Sequence, residues 1–484
     1  MRGKGKHSVP RRIVQQKIEF ISMSFLPGIL IIITFGVFAG LMMSRKMPAL
    51  LALPCMAVVI AVISGGFYDW PVAAEPVVSK SWFGYFAQKL VGDTWNGVLT
   101  NFKPFIDFIG VTVISEGAFK LAAPMMYAAF GAILSQFVMR SGIAQRIVSV
   151  AAEYAGDRKM LLAFLLTAVV AVCFTTVTGL GAVIMLGSLV LPILLGAGLS
   201  AEFAACLMLF AIAIGGIFNP AILGTYEKIL GIPRPVMKEY VLVYGCLLSC
   251  ALIAFFAIRG RKESTSYAWA ASVAPLDIKN NVPLISLLTP LIPIGLIMFF
   301  NWEIIPAFIA GLIYGALTTE PKNALQNITA ATLEGLKDIA PVIGLFIGIG
   351  MALNAMMAKP TEVVISPFLE AILPQSPIGY LIFFSILAPL ALYRGPLNFF
   401  GLGVGVAGLI LGAKLMPAIA IMAAFFAVGQ IQGVCDPTNT HNVWLATFTK
   451  CSTEKFLKTT IPYVWGFVIA ALSYAALVDG VMKQ

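Results

Sequence analysis

Forty consecutive residues, Met160 to Leu199, carry no charged side chain. As one helix they would run about 60 Å, twice the roughly 30 Å of hydrocarbon in a bilayer, so the run has to turn back on itself. Its middle reads Thr175-Thr176-Val177-Thr178-Gly179-Leu180-Gly181, where β-branched hydroxyl residues and glycines break a helix. A re-entrant hairpin with its tip at mid-membrane and two ordinary spans joined by an external turn both satisfy this. The first arm, Met160 to Phe174, has only 15 residues, which favours the hairpin. A second run, Ala371 to Ala413, is 43 residues long with Arg394 as its one charge, in Tyr393-Arg394-Gly395-Pro396-Leu397-Asn398.

The surrounding chain is of the same kind. Of 484 residues 60% are hydrophobic and 11% charged, and the mean hydropathy of +0.94 excludes a soluble globular surface. This is an integral, multi-pass membrane protein whose obligatory partner is the lipid bilayer. Its net charge of +10 reads as loop orientation and contact with anionic lipid, and no basic, aromatic-interleaved groove points to nucleic acid. Seven scattered cysteines show no metal-ligand spacing. Nor is there an H-E-x-x-H, a G-x-S-x-G or a pair of Gly-Asp aspartates, so an enzyme is not expected. No cofactor is expected, with Na+ as a candidate coupling ion.

Taken in order, a basic segment (1–24) precedes a first half (25–258), a basic linker (259–281), a second half (282–478) and a tail (479–484). Arg2, Lys4, Lys6, Arg11, Arg12 and Lys17 precede the apolar run Phe25 to Met43, which is too long for a signal peptide and lacks its cleavage site. Pro48 to Ser64 is a second span. Residues 65–120, with Trp70, Trp82, Tyr85 and Trp95 among charges, read as an interfacial insertion. Leu121 to Met139, the fold-back 160–199, an interrupted helix 203–232 broken at Asn219-Pro220, and Tyr240 to Ile258 complete the half. The second half has Val282 to Phe300, Ile304 to Thr319, Ile339 to Ala358, the fold-back 371–413, an interrupted helix 415–448, and Thr459 to Val478.

The interruption in that last helix is the most concentrated polar run of the chain. Leu415 to Cys435 is uncharged and runs directly into Asp436-Pro437-Thr438-Asn439-Thr440-His441-Asn442. Such a run at membrane depth has to be packed in protein or line an aqueous cavity, and so marks a site. A helix ending at Gly433, followed by a loop in water, is the plainer alternative.

The two halves list the same parts in the same order. Pro124 and Pro341 are 217 residues apart, as are Asn219-Pro220 and Asp436-Pro437, and Glu116-Gly117 and Glu334-Gly335 differ by 218. The expected fold is an all-α polytopic membrane protein of two repeats, each with about five transmembrane helices, a re-entrant helical hairpin and one interrupted helix. An odd number of crossings turns the second copy upside down. Inverted repeats with broken helices are how secondary transporters build a midplane site, because a break frees carbonyls for a cation and N–H groups for an anion.

In this arrangement the chain resembles the ion transporter superfamily, which includes gluconate permeases, C4-dicarboxylate and citrate carriers and the large subunit of tripartite periplasmic (TRAP) carriers. Arg140-Ser141-Gly142-Ile143-Ala144-Gln145-Arg146-Ile147, Gly187-Ser188-Leu189-Val190-Leu191-Pro192 and Ala201-Glu202-Phe203-Ala204-Ala205 look like the first half of the TRAP large subunit. The resemblance implies tips at Thr175 to Gly179 and Arg394 to Asn398 and breaks at Asn219-Pro220 and Asp436 to Asn442, with substrate and coupling ions at these four places. It also implies a bacterial inner membrane, a first hairpin opening to the cytoplasm and both termini outside, whereas the six basic residues before Phe25 argue for a cytoplasmic N-terminus, so the orientation stays open. The tips read Thr-Thr-Val-Thr and Arg-Gly-Pro-Leu-Asn in place of the Ser-Asn-Thr of divalent-anion/sodium symporters, so the resemblance names neither substrate nor ion.

The substrate candidates are therefore Thr175, Thr176, Thr178, Gly179, Asn219, Arg394, Gly395, Asn398, Thr438, Asn439, Thr440 and Asn442. Arg394 is the most informative: a guanidinium in a low-dielectric tip wants an anionic partner, and its fork suits a carboxylate. An arginine in a turn between two spans is the plainer reading. Asp436 and His441 are candidates for a proton-coupled step, with Thr178, Asn219 and Asn439 as further ion-coupling candidates. The expected function is secondary active transport of a small organic anion, a carboxylate, with Na+ or H+. The membrane subunit of a binding-protein-dependent TRAP-type carrier and an ion channel are the alternatives, and a homodimer is compatible with either.

Overall fold

The computed structural model describes residues 11–44, 46–68, 103–264, 282–478 and 481–482. The aromatic-rich part of the expected insertion, 69–102, and most of the linker, 265–281, lie outside the described residues. Among those described, every regular element is helical.

The first half consists of α1 (Arg11–Met43), α2 (Ala49–Gly66), α3 (Lys103–Arg140, π-helical over Phe108–Glu116), α4 (Ile143–Ala155), α5 (Lys159–Phe174), α6 (Leu180–Gly196), α7 (Ala201–Ile217), α8 (Pro220–Leu230) and α9 (Arg234–Ser264). The second repeats it part for part. It has α10 (Leu284–Phe300), α11 (Ile304–Thr319), α12 (Pro321–Met357), α13 (Lys359–Ile372), α14 (Pro377–Leu387, continued as a 3-10 turn over Ala388–Arg394), α15 (Gly403–Gly412), α16 (Ala418–Cys435), α17 (Thr440–Thr449) and α18 (Thr453–Ser473). Seven described helices are long and apolar enough to cross a bilayer, and α7 with α8, bent by 52° at its break, is a broken span or a re-entrant pair. Serine caps start several elements: the hydroxyls of Ser200, Ser376 and Ser452 accept from the N–H groups of Phe203, Gly379 and Lys455.

Two boundaries and two further helices differ from the sequence reading. Residues 103–120, read as interfacial, are the first part of the 38-residue α3. Their charges, Lys103, Asp107, Glu116 and Lys120, all lie on its exposed side, while Phe108, Val113 and Gly117 are buried. For the same reason α12 begins at Pro321 and not Ile339, with Lys337 and Asp338 on an exposed side. The amphipathic helices α4 and α13, one before each fold-back, had no place in the expected order.

By compactness the chain divides into two units. The smaller contains α1, α2, α3 up to Lys120, Ile347–Leu373 and Gly408–Leu415. Within it α13 packs on α1 and α2, the Thr361 hydroxyl donates to the Ala355 carbonyl (2.6 Å) and accepts from the Ser64 hydroxyl (3.0 Å), and Asn354 Nδ2 donates to the Thr112 carbonyl (2.7 Å). The larger unit contains the rest, including both breaks, the first hairpin and the second hairpin's tip. There α7 packs along α5, and α18 along α16. Glu202 accepts from Lys455 (2.8 Å) and Thr459 (2.5 Å), fastening α7 to α18.

Two glycine contacts reveal the symmetry of the repeats. In the smaller unit a Cβ on Gly117 would lie 2.7 Å from Met351 Cα; in the larger unit a Cβ on Gly335 would lie 2.8 Å from Ile133 Cα. The same step of 218 residues takes Gly117 to Gly335 and Ile133 to Met351, so each contact maps onto the other with its partners exchanged. The reciprocity is one of residue register, each contact lying within its own unit. The polar decoration is not symmetric. In the larger unit Arg140 pairs with Glu334 and Gln136 donates to Asp338, both at 2.5 Å, whereas the step carries Arg140 to Ala358 and Asp338 to Lys120.

Candidate functional site

Three asparagines close the helix breaks. Asn219, completely buried, is the N-cap of α8: its Oδ1 accepts from Ala221 N (3.0 Å) and its Nδ2 donates to the carbonyls of Phe174 (3.1 Å) and Val177 (3.4 Å). One amide thereby starts a half-helix and satisfies carbonyls at the first hairpin tip, where no water would do so. Asn439 does the same for α17. Its Oδ1 accepts from His441 N (3.3 Å), and its Nδ2 points to the carbonyls of Gln432 (3.3 Å) and Gly433 (3.4 Å) at the end of α16. Asn442 Nδ2 donates to Val434 O (2.8 Å), while its Oδ1 is buried with no hydrogen-bond partner among the described residues.

The two breaks are thus not built alike. The first is Phe218-Asn219; the second runs from Asp436 to Asn439, with Asp436 ending α16 and Asn439 starting α17. Asp436 is completely buried, and its Oδ1 accepts from Thr438 N (2.8 Å) and Thr438 Oγ1 (2.7 Å). The polar run therefore continues a membrane-spanning element as packed structure.

The first hairpin turns at Thr175 to Gly179, with Gly179 at φ 90°, ψ 167°, a conformation in which a side chain is strained. The hydroxyls of Thr175 and Thr176 donate back to the carbonyls of Val172 (2.7 Å) and Cys173 (3.4 Å), as threonines in apolar helices do. Thr178 is half-buried at the tip. The second hairpin turns through a tighter fold. Gly403 N donates to Asn398 O (2.8 Å), Asn398 Oδ1 accepts from Phe400 N (3.1 Å), and a Cβ on Gly395 would lie 2.1 Å from Leu390 O, a contact with backbone that only glycine allows. The 3-10 turn that enters this tip kinks at Leu392 and Tyr393, the latter left-handed at φ 56°, and Arg394 follows the kink.

Within the larger unit the second tip and both broken helices border one cavity of about 220 Å³. Of the residues expected from sequence, Asn398, Asn439 and His441 line it. Thr175, Thr176, Thr178, Gly179, Asn219, Gly395, Asp436, Thr438, Thr440 and Asn442 do not. Asn219 has both ends of its amide committed to backbone, which leaves it a positioning part. The sequence reading missed the aromatic lining: Tyr226 of α8 stacks on Phe399 of the tip (centroids 3.9 Å apart, planes 9°), with Phe426 and Phe400 edge-on at 5.3 and 6.2 Å. It also missed Gln430 and Gln432, polar residues in the last turns of α16 whose nearness to the break was the available signal. No acidic side chain, and no basic one apart from His441, lines the cavity among the described residues.

No family model and no curated protein sequence matches this chain. Its fold is similar to that of a solved structure, the YdaH transporter of Alcanivorax borkumensis, described as having an unusual topology, with a TM-score of 0.53 over 88% of this chain and 97% of that one. At 12% identity the likeness is one of fold alone: this multi-pass helical chain shares the fold of that protein.

Proposed function

We propose that the protein is a secondary active transporter that carries a small anionic organic acid by alternating access, coupled to Na+ or H+. The observation that carries this reading is the cavity itself, bordered by both broken helices and one hairpin tip, so that movement of any of the three changes access to it. In this reading Arg394 meets the carboxylate, and Asn398 and Asn439 orient the acid. The coupling ion engages the second break, where the buried Asp436 and the unpartnered Asn442 Oδ1 offer oxygens to Na+, and where Asp436 or His441 takes the proton if H+ is used.

Purified protein in proteoliposomes tests it. An imposed Na+ or pH gradient is expected to drive organic-acid accumulation above equilibrium, and failure of both gradients with every acid would reject secondary transport. Arg394→Ala is expected to reduce uptake by about tenfold or more, the worth of a charge-assisted hydrogen bond, with membrane insertion intact. Near-normal uptake by that variant would remove Arg394 from the site.

A further inference from the structure

We propose that the cargo is an acid with a single carboxylate and a flat or apolar body, and not a di- or tricarboxylate or a sugar acid. This rests on the reading of the 220 Å³ cavity as the cargo site of a carboxylate transporter. Charge is the first argument. A carboxylate enters a dry, protein-lined space only against a cation or a full set of donors. The lining offers neutral amides and one imidazole among the described residues, and the proposed function adds a single guanidinium, that of Arg394. One guanidinium neutralises one carboxylate, so a second or third would face amides and rings alone.

The second argument is the wall. Tyr226, Phe399 and Phe426 are at most 3% exposed and hold one another in fixed stacked and edge-on contacts, so a rigid aromatic surface exists before anything binds. Ile212, Ala213 and Ile222 extend the apolar lining. A polyhydroxylated acid would set the hydroxyls that face the rings and aliphatic side chains against carbon, where their water is lost without replacement, whereas a ring or short alkyl body gains contact along that wall.

Size and shape are the third. At about 30 Å³ per water the cavity has room for roughly seven waters, enough for one ring with its carboxylate. Part of that room comes from glycines on the broken helices. A Cβ on Gly216, Gly429 or Gly433 would meet only Ile222 Cδ1 at 3.6 Å, Tyr226 Oη at 3.8 Å or Ala213 Cβ at 3.9 Å, which are ordinary contacts. A methyl can therefore be added at Gly433 without moving backbone, at the expense of the cavity alone.

The test uses the full-length protein, by thermal shift in detergent and by competition of uptake in proteoliposomes, with benzoate, phenylacetate and 3-phenylpropionate against succinate, citrate and gluconate. The aromatic monocarboxylates are expected to bind at least about tenfold more tightly than the other three acids. Phe400→Ala, which removes a half-buried ring from the lining while leaving the buried stack in place, is expected to weaken phenylacetate by about tenfold. Gly433→Ala, which keeps every ring, is expected to weaken 3-phenylpropionate more than benzoate. Transport of succinate, citrate or gluconate with no response to the aromatic acids overturns this inference and leaves the carboxylate transporter standing. No binding of any of the six overturns both. An unchanged affinity for phenylacetate and 3-phenylpropionate in both variants rejects the cavity as the place where the body sits.

Discussion

Asn219→Ala is expected to destabilise the protein by about 2–4 kcal/mol and to open the first hairpin tip to hydrogen exchange. The substitution removes the cap of α8 and strips the buried carbonyls of Phe174 and Val177 of their donor, in a place that water does not reach. Asn219→Asp separates the two contributions. A carboxylate keeps the acceptor for Ala221 N, and so the cap, but sets oxygen against the two carbonyls where an N–H₂ stood. If the tie to the tip is the larger part, Asp is no better than Ala, and residues 172–180 exchange faster in both variants. An Asn219→Asp protein as stable and protected as the parent would show that Asn219 is a helix cap and nothing more.

The reasoning extends to the second break, which explains why one amide side chain recurs. Breaking a helix in a membrane exposes carbonyls on one side of the gap and N–H groups on the other, and asparagine is short and carries both a donor and an acceptor. Asn219 spans its gap alone. The longer second gap uses Asn439 and Asn442 for the carbonyls and Asp436 for the turn between, which leaves one amide oxygen, Asn442 Oδ1, over.

Much of this was legible in the chain. Forty residues without a charge could not be one span, and the turn of the first fold-back falls on its threonines and glycines because those residues are poor in helices and good in turns. The repeat was visible through residues that backbone geometry demands, Asn219-Pro220 and Glu334-Gly335 among them. The offset of 217 nevertheless paired Asn219 with Asp436, while the structure gives the capping role to Asn439, because the second break is two residues longer. Helices α3 and α12 were read too short, since charges along one exposed side hid an apolar one. The cavity wall was not legible at all. Phe399, Phe400 and Phe426 are indistinguishable in sequence from the many phenylalanines that face lipid or core, and only the tertiary fold brings them beside Tyr226.

The glycine contacts give the second large effect. Gly335→Ala places a methyl 2.8 Å from both Cα and N of Ile133, and Gly117→Ala places one 2.7 Å from Met351 Cα. Both obstacles are backbone, so no rotamer change relieves them and the helices have to separate. Overpacking of this kind costs about 1–3 kcal/mol, and loss of the close van der Waals contact that holds helices together in lipid adds to it. Because the repeat exchanges one contact for the other, the two substitutions are expected to lower the melting temperature in detergent by similar amounts, and leucine at either position to reduce the yield of folded protein severely. Gly36→Ala in α1, where a Cβ meets nothing within 4 Å, is the matched control and is expected to be neutral or slightly stabilising through helix propensity. A Gly335→Ala protein that melts with the parent would mean that α3 and α12 part freely at this point. A large effect at Gly335 with none at Gly117 would mean that the repeat is kept in sequence order but not in the energetics of the contact.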